Sequence, residues 1–534
     1  MDATMSTLHS PESQGISSRT LLALLKAYDE RLAFPHGFVF RRHGKIISEA
    51  YWAPYRADEK HQLFSLSKSF TSSAIGIAVG EGLLRLDDKI LSFFPEYDTP
   101  AVGPLMRKVT LRHLLMMGCG HKECPAGRFL GADPACDLVK SFLELEPTYE
   151  PGTKFAYNSI GTYMLSAALR KVTGQNLSEY LQPRLFAPLG IEPVYWEKCL
   201  HHGTDMGGWG LWLTTRDLSK AGQLWLDFGR WEGRQLIPED YMREATSWQI
   251  QNGPSGWTDW CQGYGYQFWQ CQQRCVRGDG AYGQFVVMDR KRDTVFAFHS
   301  ALGDLQEPLT LLWDTVLFAE HDAPLPEDPA ALAELRAFES SLRSPSATNP
   351  RPEHRPTTPV HPVNPLVAPT GEQTSDTNAA TSATPATAAT SATPATAATS
   401  ATPATFGTSP KRWSVFPNAL GLTSLSLAPR ADGLDVTLVF SDRTATFFAS
   451  PTAPADSVTE LVDAGHPVTV SADYAWTGPD ALRLVAIAPG MVNRFTFDFT
   501  FAPDGSATAA YDGCFWFLHG EREKAEFSLQ PTQN

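Results

Sequence analysis

The chain has few cysteines, no long apolar run and a deficit of positive charge, and each shortage excludes a class of protein. Eight cysteines in 534 residues are too few for the disulfide scaffold of a small secreted domain. The apolar run after Thr71 is broken at Glu81, before it reaches the length needed to cross a bilayer. With 44 basic residues against 58 acidic ones and a net charge of -14, the chain does not have the composition of a protein that binds nucleic acid or anionic membranes.

The first ten residues contain neither a basic segment nor an apolar segment, so no secretory signal is visible. We therefore expect a cytoplasmic protein with reduced thiols. Cys119-Gly-His121-Lys-Glu-Cys124 and the pair Cys271 and Cys275 lack the Cys-x-x-Cys spacing of a structural zinc site. We predict no metal ion, no cofactor and no membrane span.

Composition divides the chain into three zones. With 43% hydrophobic and 19% charged residues, the chain as a whole is not disordered. Residues 1–320 are mixed in pattern and rich in aromatics, residues 321–411 are rich in Pro, Ala and Thr, and residues 412–534 alternate apolar with polar residues. We predict one folded domain of mixed pattern, a disordered linker and an all-β domain over these three ranges.

The linker prediction rests on an internal repeat. The sequence Ala-Ala-Thr-Ser-Ala-Thr-Pro-Ala-Thr occurs three times without change, at 379–387, 388–396 and 397–405. These copies contain no charged, aromatic or large aliphatic residue, so they cannot bury enough surface to offset the entropy lost on ordering. We expect a flexible spacer.

The last zone contains short runs in which apolar residues recur at every second position. Such runs, separated by Gly, Asp and Pro turns, predict a β-sandwich or a β-barrel. The runs are 434–440, 444–448, 467–471, 481–486 and 494–501. No set of catalytic residues is visible among them, which favours an accessory or binding role.

The first zone has strand-like segments at both of its ends. Two runs joined at His43-Gly44 predict a hairpin over residues 37–48, and residues 284–288 and 294–298 predict another strand pair. Helical patterns lie between them, one of which follows the N-cap candidates Ser17 and Ser18. We predict an α+β unit whose sheet joins the two ends of the zone.

Ser65-Leu-Ser-Lys68 is the only Ser-x-x-Lys in the chain. It opens an apolar helical segment, so Ser65 is expected near a helix N-terminus, where free N–H groups favour developing negative charge. Lys68 lies one helical turn later on the same face and is expected to reach the serine hydroxyl as a base. The alternative is a capping serine followed by a solvated lysine.

Residues 63–74 resemble the nucleophile motif of the serine β-lactamase-related hydrolases, which include class C β-lactamases, penicillin-binding proteins, D-aminopeptidases and family VIII carboxylesterases. The likeness covers nearly all of residues 10–320. It continues through 81–90, 110–116, 151–159, 207–218 and 263–269. The resemblance implies a β-lactamase/transpeptidase-like fold, with an antiparallel sheet and a helical subdomain.

The same resemblance implies roles for individual residues. Ser65 matches the acylated nucleophile and Lys68 its base, while Tyr157 matches the tyrosine that shares a proton with the lysine and serves the leaving group. The alternative for Tyr157 is an ordinary core aromatic. The family's Tyr-x-Asn is replaced by Tyr157-Asn158-Ser159, so either Ser159 supplies the polar contact or Asn158 takes that role.

The family's third motif, Lys-Thr-Gly or His-x-Gly, is absent as such. Its positional match is the segment 277–284, in which Asp279, Gly280 and Ala281 are candidates for substrate binding or for the oxyanion hole, with Ala281 expected to donate its N–H. Loss of the motif lysine disfavours substrates that bear a carboxylate, unless Arg277 compensates. Trp209 lies in a glycine-rich loop and either lines the cleft or packs in the core.

These residues predict a metal-independent serine hydrolase that forms an acyl-enzyme with a small ester or amide and is most similar to carboxylesterases. The first alternative is a D-amino-acid peptidase or a β-lactamase. A second, from a different class, is a non-catalytic binding or scaffolding protein that retains the fold.

Overall fold

In the computed structural model of the chain, the described residues are 8–254, 256, 258–317, 319–350, 406–416, 418, 421–441, 443–459, 468–514 and 522–532. They fall into two compact units, one made chiefly of the chain up to Pro345 and one made chiefly of the chain from residue 406 onward. The three repeats, and with them most of the predicted linker, lie outside the described residues.

The first unit contains an antiparallel sheet of six strands, in the order β2-β1-β10-β9-β8-β7. The strands of this unit are β1 (Pro35–Arg42), β2 (Lys45–Tyr51), β3 (His61–Gln62), β4 (Trp212–Leu213), β5 (Arg230–Trp231), β6 (Arg234–Gln235), β7 (Trp269–Gln270), β8 (Val276–Gly280), β9 (Gln284–Asp289) and β10 (Thr294–Ser300). Strand β1 pairs with β2 across the predicted hairpin and with β10 on its other side, where Phe38 lies opposite Phe298. The prediction that the sheet joins the two ends of the first zone is confirmed.

Helices surround this sheet and form a separate helical region. They are α1 (Ser18–Arg31), α2 (Ser67–Gly80), α3 (Leu111–Leu115), α4 (Ala126–Ala132), α5 (Leu138–Leu143), α6 (Ser159–Thr173), α7 (Leu177–Leu181), α8 (Thr215–Leu226), α9 (Glu239–Ala245), α10 (Gln306–Thr315) and α11 (Pro329–Ser341). Ser17 caps α1 by accepting from the Thr20 N–H, as the sequence predicts.

Both faces of the sheet are covered, which explains why every residue of β1 is buried. On one face, the ring of Tyr28 from α1 packs against Phe38 and Phe298. On the other face, α8 approaches so closely that a side-chain carbon on Gly222 would lie 2.5 Å from Val286. The unit is therefore an α/β/α sandwich with a helical region beside it, consistent with the predicted α+β class.

Helix α11 falls inside the range 321–411 that composition assigns to the linker. Asp328 caps it by accepting from the Ala331 N–H, and Leu335 is fully buried. Lys26 of α1 forms an ion pair with Glu334 at 3.0 Å. One capped helix does not change the average composition of a long Pro-rich segment. The end of the first domain predicted from composition, residue 320, therefore comes before the end of the first compact unit at Pro345.

The second unit is a single antiparallel sheet of ten strands, in the order β14-β13-β12-β11-β20-β19-β18-β17-β16-β15. Its strands are β11 (Lys411–Val415), β12 (Leu422–Pro429), β13 (Leu434–Phe440), β14 (Thr444–Ala449), β15 (Ala455–Thr459), β16 (Val468–Trp476), β17 (Ala481–Ile487), β18 (Arg494–Phe501), β19 (Ala507–Cys514) and β20 (Arg522–Pro531). The Phe448 N–H of β14 donates to the Ser457 hydroxyl of β15 at 2.9 Å, so the two end strands meet. Of the two predicted all-β forms, the structure is barrel-like.

Among the helices of the described residues, we find none with both the length and the apolar character required to cross a membrane.

Candidate active site

Ser65 lies in a tight helical turn, Phe64–Leu66, that runs directly into α2. Phe64 has a φ of 49°, a left-handed conformation that is costly for a bulky side chain and that is typical of functional turns. The Ser67 hydroxyl donates to the Phe64 carbonyl at 2.7 Å and stabilises the turn. Ser65 is left half-buried at the start of the helix.

Lys68 is almost completely buried, at 1% exposure. Its Nζ donates to the Ser65 Oγ at 2.9 Å, to the Ser159 Oγ at 3.1 Å and to the Gly208 carbonyl at 2.6 Å. Burial disfavours the charged ammonium and lowers the Lys68 pKa to about 7, although the nearby Cys124 and Asp279 favour the charge. The amine therefore exchanges its proton near neutral pH while in contact with the serine.

Tyr157 is buried beside this pair. The Ser65 side chain interacts with its phenol and opposes part of the rise in its pKa, and the Lys68 Nζ lies 4.7 Å from the centre of its ring. The ring stacks on Trp269, with centroids 5.6 Å apart and an angle of 24° between the planes. Burial raises the Tyr157 pKa far above its usual value, so the phenol is neutral.

The two residues that follow Tyr157 make different contacts in the structure. Ser159 contacts Lys68 through its hydroxyl. Asn158 instead caps α6, because its Oδ1 accepts from the Gly161 N–H at 2.9 Å. Its Nδ2 lies 3.3 Å from the Nδ1 of His121, away from the Ser65 hydroxyl. Of the two alternatives left open by the sequence, Ser159 is the residue that contacts Lys68.

Strand β8 lies against the Ser65 turn at its two glycines. A side-chain carbon on Gly280 would lie 2.2 Å from the Leu63 carbonyl oxygen and 3.2 Å from the Leu66 nitrogen. Only glycine permits this approach without a shift of the backbone. Ala281 follows this strand directly and is buried.

Asp279 and Arg277 form a buried ion pair on β8, with Nε and Oδ2 2.8 Å apart. Burial raises the Asp279 pKa to about 6, and the positive charge of Arg277 opposes that rise. Arg277 also donates to the Asp259 carbonyl at 2.8 Å and lies over the ring of Trp260 at 4.5 Å. Asp279 compensates its charge, while its Nη2 is buried with no hydrogen-bond partner among the described residues.

Gly208 was not singled out by the sequence analysis, although its carbonyl accepts from Lys68. The available signal was the consecutive pair Gly207-Gly208, since a side-chain carbon on Gly208 would lie 2.6 Å from the Ser159 carbonyl oxygen. The adjacent Trp209 is half-buried and donates its indole N–H to Glu197 at 3.0 Å. The loop therefore serves the site through its backbone.

The sequence was compared with known families and proteins. A family model described as Beta-lactamase matches residues 24–319. Among curated proteins, the chain is similar to an uncharacterised protein of Alkalihalophilus pseudofirmus (25% identity over 39% of this chain and 64% of that one). It is also similar to the 6-aminohexanoate-dimer hydrolase of Paenarthrobacter ureafaciens (24%, over 52% and 74%) and to the lovastatin esterase of Penicillium rubens (30%, over 26% and 40%).

The chain thus spans less than two thirds of the length of the first and third of these relatives. The proteins that match the chain include a dimer hydrolase, an esterase and a D-aminopeptidase.

Proposed function

Because the chain belongs to the beta-lactamase family, we propose that it is a serine hydrolase that cleaves ester or small amide bonds through an acyl-enzyme. The observation that carries the proposal is the contact between the Lys68 Nζ and the Ser65 Oγ at 2.9 Å, combined with a Lys68 pKa of about 7. A base whose pKa lies near the working pH is well matched to activating a hydroxyl.

In the acylation step, neutral Lys68 takes the Ser65 proton while Oγ bonds to the substrate carbonyl carbon. The resulting oxyanion accepts hydrogen bonds from the backbone N–H groups of Ser65 and Ala281. When the carbonyl carbon–leaving-group bond breaks, Tyr157 gives its proton to the departing alkoxide or amine, and Lys68 returns a proton to Tyr157. Water then attacks the acyl-serine ester, and release of the acid regenerates Ser65.

The neutral state of Tyr157 supports its role as the proton donor of this cycle. A phenolate would be the stronger base, but burial disfavours that anion. Lys68 lies next to both residues, since its Nζ contacts the Ser65 hydroxyl and lies 4.7 Å from the centre of the Tyr157 ring. The three side chains that exchange protons in the proposed cycle are therefore neighbours.

The charges at β8 favour substrates without a carboxylate next to the scissile bond. Asp279 and Arg277 compensate each other's charge at this strand, so Arg277, the candidate replacement for the motif lysine, adds no uncompensated positive charge there to bind a carboxylate. An esterase or small-amide hydrolase therefore fits better than a β-lactamase or a D-amino-acid peptidase.

The test is intact mass after incubation with a fluorophosphonate and, separately, with a penicillin. Wild type and Ser92→Ala, which removes an exposed serine outside the site, should gain one phosphonyl group, and Ser65→Ala should gain none. A lasting penicilloyl adduct would favour the peptidase or β-lactamase alternative. Folded wild type that gains no adduct from either reagent would support the non-catalytic alternative.

A further inference from the structure

A second cluster of chemically active side chains lies outside the Ser65 site. Asp137, His201 and His202 each offer a ligand atom, and these atoms all lie within 4.8 Å of one another. Within the part of the chain that the structure describes, no other group of three His, Cys, Asp or Glu side chains meets this condition. Asp137 is more than sixty positions from the two histidines in the sequence, so folding brings them together.

The two histidines are held at the tip of a tight turn. The Gly203 N–H donates to the Cys199 carbonyl at 2.8 Å and closes the turn. Arg170 of α6 donates to the His202 carbonyl at 2.5 Å and to the Thr204 hydroxyl at 2.7 Å. The backbone that carries the imidazoles is therefore anchored to a buried helix before any ligand arrives.

The hydrogen bonds around the cluster leave the Nε2 atom of each histidine facing Asp137. His201 donates from Nδ1 to the Ala135 carbonyl at 3.1 Å, so its Nε2 carries the lone pair, and that atom lies 3.9 Å from the Asp137 Oδ2. The His202 Nε2 lies 3.0 Å from the Asp137 Oδ1. The Tyr97 hydroxyl donates to the Asp137 Oδ2 at 2.5 Å. Metal-binding side chains are usually oriented by a further hydrogen bond of this kind, from a histidine to a carbonyl or from a hydroxyl to a carboxylate.

We propose that Asp137, His201 and His202 bind one divalent first-row transition-metal ion, with zinc as the best match. Two imidazole nitrogens and one carboxylate oxygen are a common ligand set for such ions, and small movements would replace the His202–Asp137 hydrogen bond by two metal bonds. Three protein ligands leave at least one position for water. The bound ion cross-links the 199–203 turn to the start of α5.

The cross-link is expected to stabilise the unit without taking part in the chemistry at Ser65. None of the contacts described for Ser65, Lys68 or Tyr157 involves these three residues. The metal proposal is therefore independent of the proposed function, and either can fail while the other holds.

The test is a titration of the metal-free full-length chain with Zn²⁺ by calorimetry, together with its melting temperature. We expect one saturable site per chain and a higher melting temperature with zinc, because a ligand that binds only the native state stabilises it. His202→Ala and Asp137→Asn should each weaken binding by about tenfold or more. The amide introduced by Asp137→Asn can still cap α5, so this variant is expected to fold. His321→Ala, an exposed histidine elsewhere, should bind like wild type.

The Co²⁺ spectrum of wild type identifies the ligands even if a variant fails to fold. Ligand-field bands without intense thiolate-to-metal charge-transfer bands are expected from nitrogen and oxygen ligation. Charge-transfer bands would place a thiol such as Cys136 in the site and overturn the ligand set. The proposal itself would be overturned if wild type showed no saturable zinc binding. It would also be overturned if His202→Ala and Asp137→Asn folded and bound zinc as tightly as wild type does.

Discussion

The Nζ of Lys68 lies 2.9 Å from the Oγ of Ser65, and the lysine is buried while the serine is half-exposed. This difference in exposure gives each residue the environment that its proposed role requires. Burial favours the neutral amine of Lys68 over the charged ammonium, whereas a nucleophile must remain accessible to substrate.

The Lys68 pKa of about 7 predicts the pH dependence of activity. Since the neutral amine is the base, kcat/KM for a neutral ester should rise between about pH 5 and about pH 8 and reach half its plateau near neutrality. Lys68→Met should lower kcat/KM by about 10²–10⁴-fold. Lys89→Met, an exposed lysine away from the site, should keep both rate and profile. A wild-type profile that is flat over this range would contradict the assignment of Lys68 as the base.

Tyr157→Phe should distinguish substrates by their leaving group. An alkyl ester needs a proton on the departing alkoxide, so its kcat should fall by about 10²–10⁴-fold. A nitrophenyl ester, which leaves as a stable anion, should lose much less. Tyr264→Phe provides the matched control, because its ring packs edge-on against Tyr157 at 6.4 Å without serving the proton route. Equal losses for both esters would indicate that Tyr157 acts only by packing.

Gly280→Ala tests the close approach of β8 to the serine turn. The added carbon would meet the Leu63 carbonyl oxygen at 2.2 Å, so we expect a loss of about 1–3 kcal/mol in the free energy of unfolding and loss of activity. Denaturant unfolding measures the first and ester hydrolysis the second. Gly131→Ala in α4, where the added carbon has no neighbour within 4 Å, should leave activity intact and change stability by less than about 1 kcal/mol. Unchanged stability and activity in Gly280→Ala would show that β8 can move away from the turn at little cost.

Three buried histidines of the first unit predict instability in acid. His36 bonds to His61 at 2.9 Å, and the ring of His299 stacks on His61 at 4.7 Å. Burial lowers the pKa of His61 to about 4 and lowers the pKa values of His36 and His299 well below normal. The native state therefore holds these rings neutral.

The unfolded chain takes up protons at these histidines below about pH 6.5, so stability should fall as pH decreases from there to about pH 4, by up to roughly 1.4 kcal/mol per unit for each ring. His299→Asn removes one titrating group and keeps a donor for Gln284. Its free energy of unfolding, measured by denaturant at several pH values, should fall less steeply than that of wild type. Identical slopes would show that His299 is not held neutral.

Features that depend on neighbouring residues were predictable from the sequence. The hairpin at His43-Gly44, the cap at Ser17 and the period-two strands of the second unit follow from turn chemistry, capping preference and side-chain alternation, all of which act within a few residues. The same holds for the spacing of Ser65 and Lys68, because residues three apart share a face of any helix.

Features that depend on distant parts of the chain were decided only by the tertiary structure. The sequence did not decide whether Asn158 or Ser159 contacts Lys68. In the structure Asn158 caps α6, and Ser159 makes the contact with Lys68. The Gly208 carbonyl reaches Lys68 from 140 positions away, and closure of the barrel depends on the contact between the end strands β14 and β15. Asp137 meets His201 and His202 only because the 199–203 turn folds onto the start of α5. No local pattern encodes these contacts, since each depends on the packing of elements that are remote in sequence.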